Sequence, residues 1–267
     1  MPGVPTAPDA IAVVGLGLIG TSVSLAAKRR WPAVQVVGLD RSDALDGVRG
    51  AEIVVLAAPV DSIIGMLPRL AALIRADTLV LDTGSTKRAI LAAAAEAGIP
   101  QFVGGHPMAG GTQPGRTDAR ADLFEGCTWF LMGQDAAPGT LERATAFVES
   151  LGAKAHLFTD NGMQHDRIVA AISHLPQVTA STLMAVVSDA VGQGGLQWAG
   201  GGLRDTTRLA LSQAEMWMSI LSTNQDLVRP LLKDLAARLD TIADHLDDHQ
   251  AVKRLFDKAV GAKASCL

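Results

Sequence analysis

Short apolar runs alternate with longer Ala- and Leu-rich stretches through the first half of the chain. Five runs come first, at residues 11–14, 34–39, 53–58, 78–81 and from 101 onward, and two more follow at 129–132 and 154–158. Continuous apolar runs of this length are typical of strands buried on both faces of a parallel sheet. The stretches 21–30, 62–74 and 87–97 favour helices, and Gly98 is a suitable C-cap for the last of them. The alternation predicts a Rossmann-type, doubly wound parallel sheet.

The pattern changes after about residue 160, where strand-like runs stop and helical spacing begins. Six apolar residues there recur at spacings of three and four: Leu227, Leu231, Leu235, Leu239, Ile242 and Leu246. Such an apolar stripe must pack against another surface, which is provided either by the rest of the chain or by a second copy of it. The glycine-rich segment 192–202 is expected to be a loop. We therefore predict an α/β protein with a dinucleotide-binding Rossmann domain over 1–159 and an all-helical domain for substrate binding and dimerisation over 160–267.

Residues 15–20 read G-L-G-L-I-G, a glycine pattern that follows the first predicted strand and opens the first helix. Gly15 permits a tight turn, Gly17 lets the backbone approach a pyrophosphate, and Gly20 lets helix and strand pack closely. Leu18 and Ile19 complete the segment at the start of the helix, whose free N–H groups and positive dipole end favour phosphates. The segment predicts a dinucleotide site.

Asp40 lies 20 residues beyond Gly20, at the end of the second predicted strand. A carboxylate at this position accepts hydrogen bonds from the adenosine ribose and repels a 2′-phosphate, which favours NAD over NADP. Arg41 beside it acts in the opposite direction, because an arginine tolerates that phosphate. Pro59 follows the third run, where it either lines the ligand edge of the sheet or simply ends the strand.

Composition and charge exclude several classes of function. The formal net charge is -4 with no run of like charge, so we expect no nucleic-acid partner. The two cysteines, Cys127 and Cys266, lie far apart and suggest neither a disulfide framework nor a Cys-based metal site. The N-terminus lacks the basic start of a signal peptide, and no apolar stretch reaches the roughly 18 uninterrupted residues of a membrane span. The sequence predicts a cytoplasmic protein with no membrane partner.

Four further segments carry polar or reactive side chains in a fixed order. They read D-T-G-S-T-K at 82–87, G-G-H-P-M-A-G at 104–110, S-H-L-P-Q at 173–177 and R-D-T-T-R at 204–208. With the glycine pattern, the His165-Asp166 pair and the Met216-Trp217 pair, they resemble the prephenate/arogenate dehydrogenase family over about residues 11–250.

The resemblance implies an NAD-dependent enzyme that oxidises prephenate or arogenate at the ring hydroxyl carbon, with loss of CO2. That reaction needs a base for the hydroxyl proton and a cation for a ring carboxylate, and it needs no metal. The resemblance places the catalytic histidine at His106, and a neutral imidazole suits the role of base. Ser85 is expected to hydrogen-bond the substrate hydroxyl or His106. Lys87 either lies near the cofactor or packs the loop.

Arg208 is the candidate for the ring carboxylate, because a guanidinium offers a two-pronged, permanently charged match. The resemblance assigns substrate binding to this second arginine of R-D-T-T-R. Asp205, three residues earlier on an expected helix, would orient it. The resemblance also places His174 at the substrate cleft, against the alternative of a hydrogen-bonded core histidine. His165 is read as an interdomain contact.

The segment between Asp40 and the third run departs from the family, because residues 42–50 leave room for little more than two helical turns. Residues 111–113, just after the histidine segment, are neutral, and this favours prephenate over arogenate. Two other readings remain open. One is a different two-domain Rossmann hydroxyacid dehydrogenase, and the other is a non-catalytic dinucleotide sensor with the same fold. The apolar stripe favours a homodimer through the helical domain as much as packing within one chain.

Overall fold

The computed structural model describes residues 7–110, 115–133 and 135–264. Its centre is a seven-stranded sheet made of β1 (Ala10–Val14), β2 (Gln35–Leu39), β3 (Ile53–Leu56), β4 (Leu79–Asp82), β5 (Phe102–Pro107), β6 (Thr128–Met132) and β7 (Lys154–Phe158). The order across the sheet is β2-β1-β3-β4-β5-β6-β7. All seven strands were predicted from the apolar runs.

The first five strands run parallel, with Ile11 of β1 opposite both Val36 of β2 and Ile53 of β3. Strand β6 pairs antiparallel with β5, and β7 runs parallel to β6. The predicted doubly wound sheet is confirmed, with one reversed pair of strands at its far edge.

Four helices pack around this sheet: α1 (Leu18–Arg30), α2 (Val60–Ala71), α3 (Arg88–Glu96) and α4 (Thr140–Ser150). Alternate residues of β1 enter different apolar clusters, since Ile11 belongs to one and its neighbour Ala12 to the other. Both faces of the sheet are therefore covered, which explains why the strands read as unbroken apolar runs. Helix α3 is capped by Ala97, and the next residue, Gly98, has a φ of 69°, the left-handed conformation in which helices commonly terminate.

Between β2 and β3 the chain forms a single 3-10 turn, Leu45–Val48. The short segment noted in the sequence therefore carries no α-helix. Only Val48 of this turn is buried, in the same cluster as Leu39 and Leu56.

Beyond β7 the described chain is helical. It contains α5 (Met163–Val169), a π-helical turn (Ala170–His174), α6 (Leu175–Leu196), α7 (Gly201–Thr206) and α8 (Ala214–Thr223). The prediction of a loop over 192–202 is wrong for most of its length. Helix α6 continues to Leu196 with one break at Gly192, whose φ and ψ are 61° and -175°. Glycine weakens a helix by only about 1 kcal/mol, so flanking helical residues override it.

Backbone contacts divide the chain into two compact units, one ending at Asn224 and one beginning at Gln225. The second unit contains α9 (Gln225–Ala243) and α10 (His249–Ala264). In the predicted stripe, Leu239 and Leu246 are exposed while Leu227 is half-buried. The α/β fold class with a helical region after the sheet is confirmed, and the domain boundary at residue 160 stays a prediction.

One helical run among the described residues, Met163–Leu196, is long and apolar enough to cross a membrane by length and composition. The most apolar 18 residues of this run have a mean hydropathy of 1.3, and only 28% of them are buried. The core helix of a folded domain meets the same criterion, so composition alone is weak support for a span. The exposed apolar side chains of this run are typical of a surface that packs against another molecule.

Candidate active site

The turn between β1 and α1 has the geometry of a phosphate-binding loop. Gly15 adopts a φ of 97°, and a Cβ on Gly20 would lie 1.9 Å from the Gly15 carbonyl oxygen. Both positions therefore require glycine. Gly17 is different, because nothing lies within 4 Å of a Cβ built there. This open space in front of the backbone is where a pyrophosphate would approach.

Helix α1 offers free donors to that space. Its N-cap, Gly17, has no side-chain cap, and its first turn carries no acidic residue. The unpaired N–H groups and the positive end of the dipole therefore face the open side of the turn. Leu18 and Ile19 are half-buried in this first turn and pack against the core beneath it. The residues present fit a dinucleotide.

Asp40 follows β2, as the sequence predicts for a ribose-binding carboxylate, but it is already paired. Its carboxylate accepts hydrogen bonds from the Arg41 backbone N–H at 2.8 Å and from Arg116 Nη2 at 2.7 Å. Arg116 belongs to the segment after β5 and was not singled out in the sequence. Pro59 is exposed at the N-cap of α2, beside the carboxyl end of β3.

His106 lies within strand β5, whereas the sequence indicated a loop after the strand. The strand is extended by pairing with β6, in which His106 stands opposite Phe130 and Gly105 opposite Leu131. The two glycines before His106 carry no apolar signal, so this extension is visible only in the tertiary structure. A strand fixes the histidine backbone more firmly than a loop would.

A chain of hydrogen bonds leads from His106 into the protein interior. His106 Nδ1 lies 2.9 Å from His165 Nε2, and His165 Nδ1 lies 2.8 Å from Asp166 Oδ1. His165 and Asp166 are fully buried, and His106 is partly buried. Burial, followed by the neighbouring His165, Lys87 and His174, lowers the pKa of His106 well below its usual value. His106 is therefore a neutral imidazole at neutral pH, as a general base must be.

Asp166 also caps helix α3 from another part of the chain. Its carboxylate accepts the backbone N–H of Lys87 at 2.7 Å and both the backbone N–H and Nε of Arg88 at 3.1 Å. Burial acts to raise the pKa of Asp166, but these hydrogen bonds and the one from His165 hold it below its ordinary value. Asp166 is therefore ionised and anchors the first helix beyond the sheet to the start of α3.

A buried ion pair supports the strand that carries the histidine. Lys87 and Asp82 are both fully buried and form a salt bridge. Lys87 Nζ also donates to the Gly105 carbonyl at 2.7 Å, and Asp82 accepts the Gly105 N–H at 3.0 Å. Burial lowers the pKa of Lys87 and raises that of Asp82, while each charge stabilises the other. Of the two roles open for Lys87, the structure favours packing, because it fixes the residue before His106.

Ser85 and His174 are placed differently with respect to this network. Ser85 is half-buried, and among the described residues it makes no hydrogen bond with His106. His174 is buried in the π-helical turn, where its Nδ1 lies 3.2 Å from Asn224 Nδ2 and its ring meets Trp217 edge-on at 5.8 Å. Burial lowers the pKa of His174 to about 4. These contacts match the alternative of a hydrogen-bonded core histidine.

Arg208 is exposed and begins a 3-10 turn, Arg208–Leu211. Helix α7 ends at Thr206, so Asp205 and Arg208 do not share a helix as the sequence suggested. Within the described part of the chain no ion pair joins these two residues. The intervening Thr207 has a φ of -101° and a ψ of 10°, which breaks the helical spacing between them. The guanidinium of Arg208 is exposed and has no ion-pair partner among the described residues, so it is accessible to an external anion.

Sequence reasoning missed the roles of His165, Asp166 and Arg116. The signal for the first two was the adjacent His165-Asp166 pair, read only as an interdomain contact. Residues 111–113, on which the preference for prephenate rested, lie outside the described residues. Within the described ranges, no group of three or more His, Cys, Asp or Glu residues is placed to hold a metal ion.

The fold and the site define a class of protein: a Rossmann-type, dinucleotide-binding protein with a neutral histidine on the strand next to β4. Comparisons with known proteins give the family. Residues 17–157 match the family model described as prephenate dehydrogenase, nucleotide-binding domain, and residues 161–258 match prephenate dehydrogenase, dimerization domain. The chain belongs to the prephenate dehydrogenase family, which confirms the resemblance seen in the sequence.

Individual relatives agree with the family models. The chain is 32% identical to prephenate dehydrogenase of Bacillus subtilis (strain 168), over 91% of this chain and 71% of that protein. The crystal structure of Synechocystis arogenate dehydrogenase has a TM-score of 0.79 and 27% identity, and the match covers 97% of this chain and 100% of that one. Prephenate dehydrogenase from A. aeolicus, crystallised with hydroxyphenyl propionate and NAD+, has a TM-score of 0.85 at 20% identity, covering 96% and 98% of the two chains. The last likeness shows the shared fold.

Proposed function

We propose that this chain catalyses the NAD-dependent oxidative decarboxylation of prephenate to 4-hydroxyphenylpyruvate. The observation that carries the proposal is the neutral His106, held on β5 by a buried network in the same sheet as the dinucleotide turn. Membership of the prephenate dehydrogenase family supplies the substrate class.

In this proposal each part of the site has one task. Bound NAD would lie against Gly17 and supply the hydride acceptor. His106 takes the proton of the ring hydroxyl, and Arg208 binds a carboxylate of the substrate as a two-pronged donor. Ser85, which is free of a protein partner in the described residues, hydrogen-bonds the reacting hydroxyl. His174 does not contact the substrate in this proposal; it holds Asn224 and Trp217 in place through a hydrogen bond and a ring contact.

Arogenate, oxidised and decarboxylated to tyrosine, is the second candidate substrate. Named relatives support both, because an arogenate dehydrogenase and a cyclohexadienyl dehydrogenase of Zymomonas mobilis are also similar to this chain. We place prephenate first because the relative at 32% identity carries that name. The neutral residues 111–113 point the same way.

Two other functions receive less support. A likeness to (S)-3-hydroxybutyryl-CoA dehydrogenase exists only at a TM-score of 0.52, well below the 0.85 reached with a prephenate dehydrogenase. A non-catalytic dinucleotide sensor would have no need of a base kept neutral beside a buried ion pair. The short turn between β2 and β3 is the one feature in its favour, and it lies on the adenosine side of the site.

We also propose a homodimer formed through the helical region from residue 160 onward, and a cytoplasmic location. The family model matched by residues 161–258 is described as a dimerization domain. Several large apolar side chains in the region from α6 to α8 are exposed in the single chain, and the most exposed are Trp198, just after α6, and Leu211, in the 3-10 turn before α8. A second copy would cover such a surface.

Four parallel assays test the proposed activity. Purified protein is mixed with prephenate or arogenate, each with NAD or NADP, and formation of the reduced cofactor is followed by absorbance. Turnover is expected with prephenate and NAD. If the folded protein turns over neither substrate with either cofactor, the proposal fails, and NAD binding by calorimetry then tests the sensor function.

A further inference from the structure

We infer that His165 is a positioning residue that fixes the tautomer of His106, with the proton on Nδ1 and a bare Nε2. The inference rests on the proposed function, since it assigns the basic atom of the proposed base. It follows from hydrogen-bond donors and acceptors, beginning at Asp166 and moving outward.

Asp166 determines the first proton. Its carboxylate receives donors from Lys87 and Arg88 and lies at the N-terminus of α3, where a negative charge is stabilised. An ionised carboxylate only accepts hydrogen bonds. The contact of 2.8 Å with His165 Nδ1 therefore requires that Nδ1 carries the hydrogen.

His165 in turn determines which nitrogen of His106 carries its hydrogen. Burial lowers the pKa of His165, so the ring is neutral and carries one hydrogen, which Asp166 holds on Nδ1. Its Nε2 is then an acceptor only. A distance of 2.9 Å from His106 Nδ1 to this acceptor requires a hydrogen on His106 Nδ1. Because His106 is itself neutral, its Nε2 keeps a free lone pair, and among the described residues this atom has no hydrogen-bond partner.

Aromatic side chains hold both rings in place. Phe130 lies edge-on to His165 at 5.5 Å and tilted against His106 at 6.3 Å. Phe158 lies edge-on to His165 at 6.0 Å, and the two imidazoles meet edge-on at 5.1 Å. Rotation of either ring would break these contacts together with the hydrogen bond. The hydrogen bonds from Asp166 through His165 therefore orient the His106 ring before substrate binds, which is a form of preorganisation.

Two substitutions of His165 separate positioning from packing. In His165→Asn the amide replaces Nδ1, keeps the bond to Asp166 and loses His106. In His165→Gln the amide reaches the place of Nε2 and offers His106 an oxygen acceptor. We expect His165→Asn to lower kcat by about 10²-fold or more, as for other bases left in the wrong tautomer, with KM values changed less than about twofold. His165→Gln should restore most of that loss.

His156→Asn is the matched control. His156 is exposed and contacts Phe130 and Phe158, at 5.7 and 5.1 Å, but it makes no hydrogen bond with His106 in the described structure. It should keep wild-type kcat. Equal losses in the Asn and Gln variants, or an equal loss in the control, would show that His165 acts only by packing.

The tautomer is read directly by two-bond 15N–1H correlation spectra of protein labelled in histidine, with His106 assigned by its loss in His106→Asn. We expect His106 in the wild type to show a protonated Nδ1 and a bare Nε2, and His165→Asn to show a mixture. A protonated His106 Nε2 in the wild type would overturn the inference, whether or not any variant folds. This spectrum needs no turnover, so failure of the proposed activity in the assays above is a separate result.

Discussion

At the scale of single residues, burial sets the charge of the site. His106, His165 and His174 all have a pKa lowered first by burial, so each of these side chains is a neutral imidazole at neutral pH. Arg208 in R-D-T-T-R is exposed, and within the described residues it has no ion-pair partner. A neutral base and an exposed arginine are what an anionic substrate with an ionisable hydroxyl requires.

Replacing the base should affect chemistry more than binding. We expect His106→Asn to lower kcat by about 10²–10⁴-fold, because an amide cannot take the hydroxyl proton, with little change in the KM of substrate. Steady-state kinetics with prephenate and NAD measures both values. A variant with near-normal kcat would rule out His106 as the base.

Replacing the arginine should have the opposite effect. Arg208→Ala removes a charged two-pronged donor, which is worth about 1.5–3 kcal/mol to the bound carboxylate, so KM should rise at least tenfold. Arg208→Lys should recover only part of this affinity, because a lysine lacks the planar fork. Arg204→Ala, at an exposed position in α7, is the control and should bind substrate normally. Unchanged substrate affinity in Arg208→Ala would place the carboxylate elsewhere.

His174 makes stability depend on pH. Its pKa is about 4 in the folded protein against an ordinary value of 6.5, so the unfolded chain binds the proton more readily between these values. The contribution of His174 is complete above pH 6.5 and is lost as the pH falls toward 4, by up to about 3 kcal/mol. Melting temperatures from pH 7 to 4 should therefore fall less steeply in His174→Asn, which does not titrate there. A slope equal to that of the wild type, or of the exposed-site variant His249→Asn, would contradict this assignment.

At the scale of elements, two segments of the sheet edge meet at the adenosine side of the site. Asp40 directly follows β2, and Arg116 reaches it from the segment after β5, which begins close to His106. The carboxylate that the sequence predicts to favour NAD is thus paired with a cation, and Arg41 is next to it in the chain. Removal of the negative charge leaves two arginines where a 2′-phosphate would bind.

Neutralising Asp40 should therefore shift the cofactor preference from NAD toward NADP. We expect Asp40→Asn to raise the KM for NAD and lower that for NADP, changing the ratio at least tenfold, and Arg116→Ala in that background to cancel the gain with NADP. Asp46→Asn, an exposed carboxylate on the neighbouring 3-10 turn, is the control and should leave the ratio unchanged. An unaltered ratio in Asp40→Asn would mean that the ribose is bound by other groups.

The elements themselves were predictable where burial leaves a continuous apolar pattern. All seven strands met this condition, because both faces of the sheet are covered. The extension of β5 through Gly104 to Pro107 did not, since it depends on pairing with β6. Helix α6 beyond residue 192 was missed because glycine lowers helix propensity without preventing a helix.

The residues of the candidate site likewise fall into those that the sequence could identify and those that it could not. Gly15, Gly17 and His106 belong to local patterns with a fixed spacing, and the sequence identifies them. The contact of His106 with His165 joins residues 59 apart in the chain, and that of Asp166 with Lys87 joins residues 79 apart. No spacing rule predicts such pairs, because they depend on how the first helices beyond the sheet pack on α3.

At the scale of the whole molecule, the helical run Met163–Leu196 starts at the site and ends in exposed apolar surface. His165 and Asp166 in its first turns are fully buried, while Val186 and Val191 farther along are 60% and 49% exposed. A surface of this kind marks an interaction site. If a second copy covers it, one continuous run of helix joins the dimer interface to the residues that hold His106.

The dimer is tested by placing a charge on that surface. Val186→Asp changes an exposed side chain, so the single chain should still fold, but a buried unpaired charge would separate the two copies. Light scattering after gel filtration should give twice 27.7 kDa for the wild type and 27.7 kDa for the variant. Leu157→Asp, on the exposed side of β7 at 47% exposure, is the matched control and should remain dimeric. A wild type that is monomeric, or that binds to lipid vesicles in a flotation assay while Val186→Asp does not, would show that this apolar surface meets a different partner.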